Sequence, residues 1–521
     1  MAGVLSKDEF RRKAGLPELV LPSSGEPFVE SAEKAFELLA ETRRFFARGR
    51  LVVELVEDKA GSETLVPLKP AAFRSRLEEY FSLFAWRKHQ EKLVLLPTLC
   101  SKDTAEGILE TSAALTLLPG IRLLANSPII TETNGKLEIL ERGYHAVHEG
   151  IFVLRKGNVP DIPLEEAVKS LLELVQDFDF MTAGDKSRAL AAFVAPALRL
   201  GRMLECDFPI DVAEADESQS GKTYRHKLVC AVYGEAPYVI NRRENGVGSL
   251  DESISAALIS ARPFIALDNF RGTVNSQILE SALRGVGRVP CRIPYHGEVQ
   301  IGTDHVCWLL TSNQAEMTRD LANRSLITRI RKRKASYPFK SYPSGDILAH
   351  VKHNQLRYLG CAFSVIRCWH NAGKPRSEDH RHDFRESIAT LNWIVQNIFN
   401  LTPLLDGHRE EQERISNPLL TWLRAVAIAC HKAHRLGQWL KSGEIVDICD
   451  AHHVEIRGAN PGADDDQRNL VMGRNLSRSF GERDCIQVSG FTIECEEREE
   501  KDPAQRHMRT RRVYRFTSFE K

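Results

Sequence analysis

Along the middle of the chain, blocks of consecutive apolar residues alternate with segments in which apolar positions recur every three or four residues. The first pattern predicts buried strands and the second predicts amphipathic helices. In order, the pattern predicts a strand at Ile210–Ala213, a helix at Lys222–Val232, a strand at Tyr238–Ile240 and a helix at Ser249–Ile259. Ser249 and Glu252 open that second helix with a capping-box spacing. A strand at Pro263–Asn269, a helix at Val274–Leu283 and a hairpin follow, the hairpin pairing Val289–Pro294 with Glu298–Ile301 around Tyr295, His296 and Gly297. Two more strands, His305–Leu310 and Ser325–Ile330, complete the series. Alternating strands and helices predict the α/β class with a parallel sheet.

The flanks read differently. Residues 1–160 mix helical patterns (Val29–Phe46, Pro70–Trp86) with strand-like runs (Leu51–Val56, Leu93–Leu96), which predicts an α+β domain to which no chemistry is assigned. Residues 161–345 hold two helices, Pro163–Phe178 and Asp185–Leu200, followed by the α/β series. Residues 346–415 read as helical, with a stripe from Ile347 to Phe399. In residues 416–521, three helices (Leu419–His434, Gly443–His452, Asp466–Phe480) precede two strands, Cys485–Cys495 and Arg511–Thr517, around a charged loop. Three helices and a two-stranded wing describe a winged helix. A chain of 521 residues is too long for one core, which agrees with several domains.

Charge adds little: 71 Lys and Arg against 70 Asp and Glu leave a net of +1, so any nucleic-acid contact must come from local patches. Eleven cysteines stand singly without a C-x-x-C pair, which excludes an obvious zinc site or disulfide framework. The first residues lack the apolar core of a signal peptide and no apolar run reaches the length of a membrane span, so a cytoplasmic protein without membrane contact is expected.

Candidate chemistry begins at Pro209–Tyr224, PIDVAEADESQSGKTY. A strand, a loop and a helix start in this order form a phosphate cradle. The backbone N–H groups of Ser218, Gln219, Ser220 and Gly221 face the anion, Lys222 reaches the outer phosphates, and the Thr223 hydroxyl takes a Mg²⁺ position. Asp216 stands where the G-x-x-x-x-G-K-[ST] spacing asks for glycine. Asp268, 46 residues beyond Lys222 at the end of an apolar strand, is placed to organise Mg²⁺, because parallel strands converge at their C-terminal ends. Asn313 ends the next core strand and can hold an attacking water; Arg324 precedes the last strand and can reach a neighbouring subunit's nucleotide. His380 and His382 lie between acidic residues without a third ligand at a matching spacing, which predicts a solvated turn.

Taken together, the loop with Lys222 and Thr223, Asp268-Asn269, the hairpin, Asn313 and Asp320-Leu-Ala-Asn-Arg324 resemble the ATPase core of AAA+ proteins. Within them, the likeness is to the superfamily 3-related helicase-like ATPases of phages and mobile elements. The resemblance extends to the paired helices from Val159 to Gly201 and to His382–Val395 after the core. It implies ATP and Mg²⁺ as cofactors, Thr223 and Asp268 at the metal, and Asp268, Asn269, Asn313 and Arg324 as catalytic residues. Arg324 would be a trans finger, hence a homo-oligomeric ring, a hexamer. Asn269 stands where many AAA+ proteins place a catalytic Glu, leaving the general base open, with Asp268 or Glu214 as helpers. A second sensor arginine belongs in residues 346–415, with Arg357 and Arg385 as candidates. The hairpin tip, Tyr295 and His296, would hold single-stranded DNA in the ring channel. Arg468, Arg474 and Arg478 on the third C-terminal helix, with Arg509, Arg511 and Arg512 beside the wing, would meet duplex phosphates. The reading is an ATP-hydrolysing DNA motor, a replicative helicase or initiator of a mobile element. The alternatives are an ATP-switched protein-remodelling or regulatory ATPase and a degenerate nucleotide-binding protein.

Overall fold

The computed structural model describes residues 15–518 except 24, 58, 60, 62, 90–91, 216, 218, 241–248, 271–272, 285–286, 294–296, 314–315, 461, 463, 481–483, 489 and 502–507. The chain divides into two units, one of residues 1–315 with 323–408 and one of residues 316–322 with 409–521.

The centre of the first unit is a six-stranded sheet. Its elements are helix α1 (Leu164–Glu173), strand β1 (Asp179–Phe180), α2 (Ala183–Leu200), β2 (Ile210–Ala215), α3 (Lys222–Val232) and β3 (Tyr238–Ile240). Then come α4 (Leu250–Ile259), β4 (Phe264–Phe270), α5 (Gln277–Leu283), the hairpin strands β5 (Arg288–Ile293) and β6 (Gly297–Gly302), β7 (Cys307–Asn313) and β8 (Ser325–Arg331). The sheet order is β1-β8-β2-β7-β4-β3. Only the β1–β8 pairing is antiparallel, and β5 and β6 pair with each other outside the sheet. Ala215 lies opposite Asn313, so the loop after β2 leaves the sheet beside the end of β7. Both faces are covered, and the strands therefore carry runs such as Phe264-Ile265-Ala266-Leu267, all buried, without alternation.

Helix α2 shows how this unit is fastened. Thr182 accepts from the Asp185 amide at 3.1 Å and the Asp185 carboxylate accepts from the Thr182 amide at 3.0 Å, a reciprocal cap. The same carboxylate, fully buried, pairs with Arg188 at 2.8 Å and accepts from the Arg329 amide of β8 at 2.8 Å. Arg188 also donates to the carbonyls of Leu404 and Asp406, so one buried ion pair ties α2 to β8 and to the chain after the helical segment. Removing Asp185 would leave Arg188 buried without its carboxylate, a change that costs about 3–5 kcal/mol in comparable pairs.

After the sheet come α6 (Ile347–His353), α7 (Gln355–Asn371) and α8 (Arg385–Asn397). Their buried faces, including Leu359, Phe363, Trp369 and Leu391, share one apolar cluster with α2, α3 and β4. Leu123, Ile129, Ile151 and Val153 belong to the same cluster. A separate cluster around Phe36, Phe45, Phe73 and Leu77 holds residues 19–118 together, with Phe36 and Phe73 stacked at 5.7 Å.

Several predicted elements are corrected. The first helix spans Phe28–Glu41 and Phe45–Arg48 is a strand, because Arg43 adopts a left-handed φ of 54° and ends the helix. The second ends at Tyr80, and Ser82–His89 is a strand paired in parallel with Glu18–Val20, a partner that local periodicity cannot reveal. Helix α5 starts at Gln277, where the Ser276 hydroxyl accepts from the Leu279 amide at 3.1 Å.

The second unit packs α9 (Pro418–Lys432), α10 (Ser442–Ala451) and α11 (Asp465–Phe480) with a four-stranded antiparallel sheet. Its strands are β9 (Trp439–Leu440), β10 (Cys485–Val488), β11 (Phe491–Lys501) and β12 (Met508–Ser518), in the order β9-β12-β11-β10. The predicted strand Cys485–Cys495 is thus a hairpin, bent where Gly490 takes a φ of 89°. Among the described residues, no helix is long and apolar enough to cross a membrane.

Four buried histidines make the first unit acid-sensitive. Burial lowers His226 and His382, lowers His408 well below its ordinary value, and brings His305 to about 4. The unfolded chain binds protons on these groups at about pH 6.5 while the folded chain does not, so stability falls as pH drops below that value. His305 alone contributes on the order of 3 kcal/mol to this loss. Glu235, raised by burial to about 7, acts in the opposite sense, but as one group against four. The melting temperature is expected to fall steadily from pH 7 to pH 4.5; a flat profile would contradict the neutral, buried histidines.

Candidate functional site

The loop after β2 turns over the start of α3 with two left-handed residues, Gln219 at φ 61° and Gly221 at φ 96°. Alternation of this kind turns successive amides toward one concavity, the geometry of an anion nest at a helix N-terminus. A Cβ on Gly221 would lie 3.0 Å from the Phe178 ring, so both the backbone angle and the close approach require glycine. Ser218 and Asp216 lie outside the described residues. Lys222 is 8 % exposed, and its ammonium donates to Asn313 Oδ1, to the Glu217 carbonyl at 3.4 Å and to Ser220 Oγ at 3.5 Å.

Opposite the lysine, β4 departs from regular pairing between Leu267 and Phe270. Asn269 occupies this bulge with a φ of 51°, a conformation asparagine tolerates better than most residues. The bulge aims Asp268 at α3: its Oδ1 accepts from Thr223 Oγ1 at 2.9 Å and from Thr311 Oγ1 at 2.5 Å. Thr311 also accepts from the Asn269 amide at 2.8 Å, and Ser312 Oγ donates to the Phe270 carbonyl at 2.6 Å. Thr311 is a site residue the sequence reading missed; its position in a run of Thr-Ser-Asn at the end of β7 was the available signal. The structure thus brings together Gln219, Ser220, Gly221, Lys222, Thr223, Asp268, Asn269 and Asn313 at the C-terminal ends of β2, β4 and β7.

Beside the loop opens a cavity of about 620 Å³, lined among others by Phe178, Gly221, Tyr224, Phe339, Lys340 and Ile347. The Tyr224 hydroxyl accepts from the Leu348 amide at 3.1 Å, which joins α3 to α6 across its floor. Neither sensor candidate lines this cavity. Arg357 is engaged with Glu166 at 2.7 Å and Ser170 at 3.3 Å, and Arg385 heads α8; the cations that do line it are Arg333, Lys334 and Lys340.

Arg324 is 6 % exposed and donates to the Glu280 carbonyl of α5 at 2.8 Å, while burial corrects two other expectations. Glu214 is fully buried within β2, opposite Ser312 and Arg329. His382 is not in a solvated turn: it is 4 % exposed, its Nε2 donates to the Ser325 carbonyl at 3.1 Å, and its Nδ1 accepts from the Phe384 amide at 3.0 Å.

The hairpin of β5 and β6 has six paired positions, but Tyr295 and His296 at its tip lie outside the described residues. In the second unit, Arg474 and Arg478 are exposed one turn apart on α11, in line with Leu470, itself 56 % exposed. Arg468 is paired with Asp450, and Arg512 with Glu497 at 2.9 Å and Ser477 at 2.9 Å. Arg511 is exposed opposite Arg498, while the side chain of Arg509 lies outside the described residues. Arg515 pairs with Glu494 at 2.6 Å, so the long β11–β12 hairpin neutralises much of its own charge.

No family model matches the chain, and no curated protein matches it. Among solved structures, one described as SCCmec type IV Cch, an active helicase, is similar over 92% of this chain and 98% of its own, at 10% identity and a TM-score of 0.29. The A form apo structure of the NrS-1 C-terminal region is similar over 86% and 99%, at 12% identity and a TM-score of 0.30. JCV Helicase with a bound acetamide compound is similar over 48% of this chain and 71% of its own, at 12% identity and a TM-score of 0.22. Scores this low describe backbones that superpose only loosely.

Proposed function

We propose that the chain binds ATP with Mg²⁺ at the α3 loop, hydrolyses it, and uses the cycle to move along or open DNA. The observation that carries the reading is the convergence of Lys222, Thr223, Asp268, Thr311 and Asn313 at the ends of three adjacent strands. The donor set fits the cofactors: amides and an ammonium for phosphate, and a hydroxyl and a carboxylate 2.9 Å apart as hard oxygen ligands for Mg²⁺. When bound, Mg²⁺ would neutralise charge on the phosphate oxygens. In this reading Lys222 leaves Asn313 for the phosphates, which frees the Asn313 amide to orient a water, and Thr311 holds Asp268 in place throughout. The apolar cavity at Phe178 and Phe339 takes the nucleoside. Asn269 can orient a water but cannot accept its proton, so turnover depends on positioning and charge stabilisation. In the same reading the chain forms a homo-oligomeric ring, a hexamer, in which Arg324 would leave the Glu280 carbonyl to reach a neighbouring subunit's nucleotide.

The second unit is read as a winged helix that grips duplex through Arg474 and Arg478. Arg474→Ala with Arg478→Ala should weaken duplex binding by roughly tenfold or more and lower the slope of affinity against salt by about 2. Unchanged affinity and slope in a binding titration would remove DNA from this face. The self-neutralised β11–β12 hairpin favours a second reading, in which this unit docks a protein and the ATPase acts as a switch. Normal duplex affinity in the double variant, with loss of a protein partner, would select it.

A further inference from the structure

A second large cavity, of about 720 Å³, lies on the far edge of the sheet from the loop. Glu235, Pro237 and Tyr238 line it just before or at the start of β3, and Arg262 lines it two residues before β4. These are the N-terminal ends of strands whose C-terminal ends face the loop, so the cavity is separate from the proposed ATP site. Three further segments close it: Asn126 to Pro128, the connection Arg155-Lys156, and Lys352 with Gln355 from α6 and α7.

Its charge is one-sided. Arg155, Lys156, Arg262 and Lys352 line it against a single carboxylate, Glu235. Glu235 is itself consumed by structure: it accepts from the Asn126 amide at 2.5 Å and Asn126 Nδ2 at 2.8 Å, and stands 3.8 Å from Arg262. Burial raises its pKa to about 7, so near neutrality it carries only part of a negative charge. Arg155, Lys156 and Lys352 are exposed and form no ion pair among the described residues. Arg262 is the half-buried cation of the group, with a side chain 15 % exposed, and its Nη2 donates to the Glu63 carbonyl. The C-terminus of α3, whose carbonyls would repel an anion, ends against the same cavity, but Gln355 Nε2 caps the Val232 carbonyl at 2.8 Å. Four like charges converging on one concavity repel one another and raise the local concentration of anions.

We propose that this cavity is a second anion site and takes a phosphate-bearing ligand, held by Arg155, Lys156, Arg262 and Lys352. Helix α6 lines both cavities, with Ile347 at the loop cavity and Lys352 here, so the two sites share a structural element.

The test uses the full chain carrying Lys222→Ala, so that the loop is silenced, and follows ³¹P line broadening of inorganic phosphate. Saturable broadening is expected, and adding Arg155→Ser, Lys156→Ser and Lys352→Ser should weaken it at least tenfold. All three are surface positions, and an unchanged melting temperature would show that the fold survives. Displacement of the phosphate by a ten-residue oligothymidylate would assign the site to a nucleic-acid backbone. Displacement by AMP alone would assign it to a free nucleotide. Absence of saturable binding, or equal binding with and without the three substitutions, would overturn the proposal. None of these outcomes depends on ATP hydrolysis.

Discussion

Lys222→Ala should remove ATP binding. The loop turns this lysine inward, and its ammonium already sits among oxygen acceptors, including Asn313 Oδ1, the Glu217 carbonyl and Ser220 Oγ, that phosphate oxygens would replace. A charge-assisted hydrogen bond contributes about 1.5–3 kcal/mol, and loss of two such bonds corresponds to roughly a hundredfold or more in affinity. Titration of a fluorescent ATP analogue against the parent and the variant measures this directly. The variant also deletes the contact with Asn313, so its melting temperature must be compared with that of the parent. Tight nucleotide binding in a folded Lys222→Ala chain would show that the loop is not a phosphate cradle.

Asp268→Asn should separate binding from chemistry. Asparagine keeps an oxygen for the Thr223 and Thr311 hydroxyls, so the β4 bulge and the fold should survive. What is lost is the charge that would hold Mg²⁺. Metal assistance in phosphoryl transfer is worth several kcal/mol of transition-state stabilisation, which at about 1.4 kcal/mol per tenfold means a drop of roughly a thousandfold in turnover. ATP affinity should change by less than about tenfold, because the phosphates would still meet Lys222 and the loop amides. Turnover within threefold of the parent would move the metal-organising role away from Asp268.

What the sequence made legible was local. The loop, the order of strands and helices around it, and the polar residues ending β4 and β7 follow from runs and spacings within about ten residues. What escaped it required distant partners. Thr311 matters because β7 lies beside β4, and Phe178 and Phe339 face one cavity although they are far apart in the chain. Arg324 has the residue type of a reaching finger, and its hydrogen bond to the Glu280 carbonyl of α5 comes from packing that the sequence does not show. Ser82–His89 reads as helix until Glu18–Val20 supplies its sheet partner. In the second unit, Arg512 and Arg515 of β12 look available until Glu497 and Glu494 of β11 are found opposite them. Residue type indicated chemistry, but exposure decided which side chains could use it.

The claim that joins both units is that ATP turnover is coupled to nucleic acid. Steady-state phosphate release by the full chain with Mg²⁺, measured with and without single-stranded DNA and alongside Asp268→Asn, tests it most directly. The account predicts turnover that rises several-fold with single-stranded DNA in the parent and is absent in the variant under both conditions. Turnover that stays the same at every DNA concentration, or that persists in Asp268→Asn, would contradict it.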